Sequence, residues 1–368
     1  MITTYELNNV HKDSDLSDGR IKKTSPVVEV FSAMVQGKDL GSLKCDADKA
    51  VKYIKSLGEK ASDGDPRAVS ELNTIRRFVV EAPLMQEINL LSVFGSYTAL
   101  AYDETPEREV YKHAGEKARM QANNGDVVFP TIVKETYPVP TFTVSAGYAV
   151  DYRRVALGDM TKENEGMEQV RVTIRNTAIA AIVEKIYNAI KAATGVKYFV
   201  EDAGVTKTNV DKLIGQIRRW GKPAILGDYA VLSQFTPFAG YTATVNTNTI
   251  FGISESVMQE LAQTGMIHAY NGAILTEIPN PYDIYTMNED GTDFQTVLPA
   301  GLAFAIPTGT QSPIATFTRG GLTSLTGNNV HNGKVETRFD LEVGADIAKG
   351  QEFKIGVLHD TNLDDLAD

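Results

Sequence analysis

Apolar residues along this chain change their period several times, and each change predicts a different kind of element. Met1 to Lys23 is polar and weakly periodic, which predicts an extended or mobile arm. From Val27 to about Lys60 the spacing is that of an amphipathic helix, interrupted near Gly37 to Gly41. Ser62-Asp63-Gly64-Asp65-Pro66 breaks the pattern, Arg67 to Val80 resumes it, and Glu81-Ala82-Pro83 is expected to end that helix. The strongest helical signal is Thr161 to Thr194. Its middle, Ala178-Ile179-Ala180-Ala181-Ile182-Val183, is apolar all round and predicts a rod covered on every side, with Gly195 as its stop. A shorter helix carries Val210, Leu213, Ile214 and Ile217 on one face, with Asn209 as expected cap and Gly221 as stop. A third is expected over Glu255 to Gln263, closed by Gly265.

Between Leu90 and Leu157 the wording is different. Thr, Val, Tyr and Phe dominate, punctuated by Gly and Pro, which predicts strands with long excursions. Glu104 to Asp126 is almost wholly polar, and an excursion of about twenty residues is too long for a routine hairpin loop. It reads either as a disordered insertion or as a β-hairpin arm that becomes ordered on a neighbour. Later strands are expected at Ala224 to Leu226, at Leu298 to Ile306 and at Phe353 to Leu358. Ile267 to Tyr270 and Ala273 to Ile278 flank Asn271-Gly272, a two-residue hairpin signal. Gly309 to Gly333, rich in Thr, Ser, Gly and Asn, reads as a long loop. Beyond it Val335, Thr337, Phe339, Leu341 and Val343 alternate with charged residues, the pattern of a strand with one packed face.

Charge narrows the function. The 368 residues hold 36 Lys and Arg against 47 Asp and Glu, a formal charge of -11, which disfavours wrapping nucleic acid and favours solubility at high concentration. One cysteine, Cys45, permits no intrachain disulfide and fits a reducing cytoplasm. No run of about 18 apolar residues offers a membrane span, and Met1 to Asn9 is no secretory signal.

Motifs for catalysis are missing. The sequence contains no phosphate loop, dinucleotide fingerprint, H-E-x-x-H or G-x-S-x-G. His11, His113, His268, His331 and His359 have no metal-ligand spacing, and Cys45 has no paired histidine. Arg76-Arg77, Arg153-Arg154 and Arg218-Arg219 read as salt-bridge partners at an interface more than as phosphate contacts, and Glu163 with Glu165 as an ordinary pair in an acidic chain. No catalytic, cofactor-binding or metal residue is assigned, and the expected role is structural.

The order of segments carries a resemblance. Pro83-Leu84-Met85-Gln86-Glu87-Ile88-Asn89-Leu90-Leu91 leads into a β-rich arm that closes through Gly125-Asp126-Val127-Val128-Phe129-Pro130 and Thr136-Tyr137-Pro138-Val139-Pro140-Thr141. Gly147-Tyr148-Ala149-Val150-Asp151-Tyr152-Arg153 and the long helix follow, and the chain closes with Val335-Glu336-Thr337-Arg338-Phe339-Asp340 and Phe353-Lys354-Ile355-Gly356-Val357. From about Pro83 to Asp360 this resembles the major capsid proteins of tailed bacteriophages, the Hong Kong phage fold that encapsulins share.

The resemblance implies an α+β capsid fold with an N-terminal arm, an extended β-hairpin E-loop, a peripheral domain with a long spine helix, and an axial domain. Its divisions would be 1–82 for a partly helical arm, 83–160 for the E-loop and its base strands, and 161–206 for the peripheral domain. The axial domain would take 207–317, a loop and peripheral strand 318–350, and a final axial strand and tail 351–368. Glu107, Arg108, Lys112, Lys117 and Arg119 of the E-loop would be inter-subunit contacts. Some members cross-link an arm lysine to a neighbour's asparagine; Lys112 and Lys117 lie in the matching arm, but neither the asparagine nor its assisting glutamate can be matched. Implied partners are the chain itself as hexamers and pentamers, a separate scaffolding protein, a portal and decoration proteins, with packaged DNA touched only weakly and no membrane. No cofactor is implied. The protein would sit in the virion capsid after assembly in the host cytoplasm; the alternative is an encapsulin-like compartment shell.

Overall fold

The computed structural model describes residues 25–35, 47–88, 95–113, 120, 132–151, 153, 161–238, 263–287, 291–309, 312–329, 331 and 333–363. Three helices come first: α1 (Pro26–Val35), α2 (Ala47–Ser62) and α3 (Pro66–Ile88). Val27, Val30 and Phe31 of α1, Tyr53, Ile54 and Leu57 of α2, and Leu72, Ile75 and Val79 of α3 are all buried in one core. Part of the expected arm is therefore packed body. Pro83 does not end α3. A proline inside a helix removes one backbone bond and crowds the preceding turn, yet Leu84 and Ile88 beyond it are fully buried on one face, and that burial holds the helix to Ile88.

The next elements are β1 (Ser96–Leu100), β2 (Glu107–His113), β3 (Ile132–Pro138), β4 (Thr141–Asp151) and the long α4 (Thr161–Lys191). In α4 the stripe Met167, Val170, Ile174, Ala178, Ile182, Ile186 and Ile190 is buried, whereas Ile179, Ala180 and Ala181 are half-buried and Glu184 is exposed. Its apolar middle is thus not covered all round within one subunit. The helix ends at Lys191, four residues before Gly195, which does not adopt the left-handed conformation of a glycine stop.

Then follow β5 (Tyr198–Asp202), α5 (Lys207–Ile217), β6 (Lys222–Gly227), two single turns α6 (Tyr229–Leu232) and α7 (Phe235–Phe238), β7 (Ala269–Tyr270) and β8 (Ala273–Glu277). The chain finishes with β9 (Tyr282–Met287), β10 (Phe294–Thr296), β11 (Leu302–Thr308), β12 (Ile314–Asn329), β13 (Lys334–Ile347), a 3-10 turn at Glu352–Lys354 and β14 (Gly356–Asp360). On α5 the four expected residues are buried, but the cap is Thr206, whose hydroxyl accepts the Asn209 N–H. The turn after α5 runs to Gly221 without left-handed geometry there. The helix expected over Glu255 to Gln263 lies outside the described residues but for its last one.

Two sheets organise the body. One has four strands in the order β1-β12-β13-β4; the other has six, in the order β5-β14-β11-β6-β8-β7. Helices α3 and α4 pack on the four-stranded sheet, against Phe339, Leu341, Val343 and Ala345 of β13. In the six-stranded sheet, Leu302, Phe304 and Ile306 of β11 face that same core, while Ala303 and Ala305 face a second core with α5. Burial on both faces explains why β11 reads as an unbroken apolar run. Asn271 (φ 47°) and Gly272 (φ 77°) form the expected tight turn between β7 and β8.

The expected loop at Gly309 to Gly333 is instead mostly β12. It pairs with β13 from Ile314↔Ile347 to Asn329↔Lys334, interrupted by a bulge where Gly320 and Gly321 take φ of 72° and 70°. Its Thr, Ser and Gly content disguised it, since Thr316 and Thr318 are buried in place of large apolar residues.

Candidate assembly surfaces

Of the polar excursion, Glu107 to His113 forms β2 and pairs antiparallel with β3, in register from Glu107↔Pro138 to His113↔Ile132; beyond His113, all of it but Met120 lies outside the described residues. Alternation sets its two faces. Val110 and Tyr137 turn inward onto Ala348 as a small separate core. Tyr111 lies on the opposite face and is more than half exposed, as is Val133, which shares the face of Val110 but lies farther from the root. Across the strands Lys134 Nζ lies 2.5 Å from Glu109 Oε1, an exposed pair that contributes little stability.

The root of the hairpin is tied to its own chain through one arginine. Arg108 Nη1 donates to the Asp346 carbonyl at 2.7 Å and Nη2 to the Pro313 carbonyl at 2.6 Å. The Asp346 carboxylate stands 3.6 Å from the guanidinium and accepts the Tyr137 hydroxyl at 2.7 Å. The Lys349 N–H donates to the same hydroxyl at 3.3 Å, and the Lys349 ammonium sits 4.2 Å from the ring centre. Burial and the bond to Asp346 push the Tyr137 hydroxyl up to about 12. Burial pulls the Arg108 guanidinium below its ordinary value, with Asp346 opposing it.

Of the residues expected at inter-subunit contacts, Glu107 is exposed on β2, and Arg108 is turned back into the network just described. Lys112 lies on β2, and its side chain is outside the described residues, as are Lys117 and Arg119. Reasoning from sequence missed Tyr137, Asp346 and Lys349. Their partners are about two hundred residues away in the chain, beyond the reach of any local pattern.

Further exposed apolar side chains cluster on β9 and β10, which pair as a separate two-stranded ribbon bearing Tyr282, Ile284, Met287 and Phe294. Of the arginine pairs, Arg76 bonds to Glu163 inside its own chain. No group of three metal-ligating side chains occurs among the described residues, and no described helix is long and apolar enough to cross a membrane.

A family model described as "SPbeta prophage-derived putative capsid protein YonB" matches residues 6–359. The chain belongs to this capsid protein family. Solved structures that are similar include one from Microbacterium phage Oxtober96 (9% identity, 73% of this chain and 89% of that one, TM-score 0.47). The mature capsid of bacteriophage PhiM1 is another (11% identity, 73% and 86%, TM-score 0.46). The SrpI encapsulin of Synechococcus elongatus PCC 7942 is a third (14% identity, 76% and 89%, TM-score 0.42). No curated protein sequence matches the chain. Among its described residues the capsid protein combines helices and sheets with an anchored hairpin and a ribbon that exposes apolar side chains.

Proposed function

We propose that copies of this capsid protein close into an icosahedral shell of hexamers and pentamers that encloses a phage genome, and that the subunit performs no catalysis. The family match across residues 6–359 carries this reading. The geometry supports it. A hairpin held rigidly at its root by Arg108 and Tyr137, with Tyr111 and Val133 left to solvent, presents surface without a partner in its own chain. Many modest contacts of this kind sum to a stable closed lattice.

In this reading Glu107, Lys112, Lys117 and Arg119 reach a neighbouring subunit, and Arg108 positions the arm. The four-stranded sheet with α3 and α4 is the peripheral domain and the six-stranded sheet the axial one. A separate scaffolding protein, a portal and decoration proteins complete the particle, which assembles in the host cytoplasm. A net charge of -11 suits a wall that encloses DNA without adhering to it.

Negative-stain electron microscopy of the purified full chain, with and without a co-expressed scaffolding protein, tests the proposal. Closed shells, or rings of five and six subunits, are expected. A uniform small particle under every condition overturns it, and shells filled with enzyme in place of DNA would indicate a compartment.

A further inference from the structure

The six-stranded sheet carries, at opposite ends, two surfaces of complementary chemistry. At one end the β9–β10 ribbon leaves the sheet, with Tyr282, Ile284 and Met287 exposed by 57%, 62% and 60%. An isolated two-stranded ribbon is marginal in water, and exposed apolar side chains on it mark a contact surface. Its charge has one sign. From Ile278 to Thr318 the sequence holds Asp283, Glu289, Asp290 and Asp293 and no Lys, Arg or His.

At the other end, the turn from α5 into β6 exposes Arg218, Arg219, Trp220 and Lys222, and from Lys212 to Gly227 the sequence holds no Asp or Glu. Trp220 packs on Phe353 with ring centres 4.9 Å apart, and the Lys354 ammonium lies 5.9 Å from its ring. The corner therefore combines positive charge with a held aromatic face, which suits acidic and apolar partners together.

Within one chain the two surfaces lie at opposite ends of β6. Strands β6 and β8 run parallel from Ala224↔Ile274 to Gly227↔Glu277, and Asn280, beyond β8, donates to Asp228 at 2.7 Å. The ribbon thus departs beside the last residue of β6, and the basic corner ends on its first, Lys222. The strand between them is about 20 Å long. Two unlike, complementary patches at opposite ends of a strand define a head-to-tail contact, the kind that closes into rings.

Resting on the shell reading above, we propose that the β9–β10 ribbon of one copy docks on the Arg218–Lys222 corner of a second copy. In a chain of net charge -11, copies repel except where a basic cluster meets an acidic one, and this corner is such a cluster.

The test reverses charge on each side in the full-length protein, with association read by sedimentation and electron microscopy. Asp283→Lys with Asp293→Lys, or Arg219→Glu with Lys222→Glu, should each abolish rings and shells. The four substitutions combined in one chain should restore closed shells. Mixing the two reversed proteins should give alternating, even-numbered rings and no five-membered ones. As a readout independent of those variants, Ile284→Cys in one copy and Arg219→Cys in another, both with Cys45→Ser, should be joined by a short bis-maleimide. Normal shells from either charge-reversed protein, or no cross-link while the parent forms shells, would overturn this contact and leave the shell reading standing. A parent that forms neither rings nor shells would sink the shell reading, and this contact with it.

Discussion

The guanidinium of Arg76 in α3 clasps the carboxylate of Glu163 in the first turn of α4, and both side chains are almost wholly out of water. Arg76 Nε donates to Glu163 Oε2 at 3.1 Å and Nη2 donates to Oε1, a two-pronged bond between residues 87 apart in sequence. Burial is the largest influence and disfavours the charged arginine, but the charge of Glu163, nearby Tyr148 and the hydrogen bonds to Glu163 together outweigh it and hold Arg76 above its ordinary value. This pair joins the N-terminal helices to the long helix.

Removing one partner should leave the other charge buried and alone. Arg76→Met or Glu163→Gln is expected to destabilise the subunit by about 3–5 kcal/mol, whereas Arg76→Met with Glu163→Leu should recover most of that loss. Denaturant unfolding of unassembled subunits measures both. A double variant no better than the singles would show that the charges are needed for more than pairing.

Arg108→Ala removes the donors that hold the hairpin root to the carbonyls of Pro313 and Asp346. The expected result is faster limited proteolysis between His113 and Ile132, with far-ultraviolet dichroism almost unchanged and fewer closed shells. Cleavage at the parent rate would place the anchor elsewhere.

Tyr137 and Tyr270 should titrate late. Each is raised to about 12, by burial and then by a bond to Asp346 or Asp211. A tyrosine whose native pKa exceeds its unfolded value of about 10 favours folding below that pH, and the contribution disappears as pH rises through about 12. Stability should therefore fall across this window. Alkaline difference spectra of Tyr137→Phe and Tyr270→Phe should each lack one late-ionising group; unchanged spectra would contradict the assignment.

Gly95 precedes β1, and a Cβ there would lie 2.2 Å from the Ile314 carbonyl oxygen of β12. Backbone cannot move aside as a side-chain tip can. Gly95→Ala is expected to cost about 1–3 kcal/mol and to loosen the β1–β12 pairing. Hydrogen exchange at Tyr97 to Leu100 reports it, and parent-like protection there would refute the clash.

Legibility tracked how local each signal was. The periodicity of Val210, Leu213, Ile214 and Ile217, the Asn271-Gly272 turn and the alternation of β13 each lie within a few residues, and all appear in the structure as expected. Strand β12 was hidden because its partner β13 supplies most of the large apolar residues at that layer, which lets β12 use Thr and Gly. Pro83 reads locally as a helix end, and the burial of Leu84 and Ile88, which depends on distant segments, outweighs that local backbone cost. The hairpin was legible as a polar excursion between β signals, but its anchor was not, since Arg108 meets carbonyls more than two hundred residues away.

By itself, then, the sequence determined the periodic elements, the acidic balance and the resemblance to capsid proteins, because period, charge and segment order are properties of the chain in one dimension. Tertiary structure alone decided that Arg76 pairs with Glu163, that Arg108 faces inward, and that the ribbon and the basic corner lie at opposite ends of one sheet. Such contacts arise only when folding brings distant segments together. The hydrophobic burial that drives this is non-directional, so the sequence specifies that a core must form before it shows which polar groups the core will bring face to face.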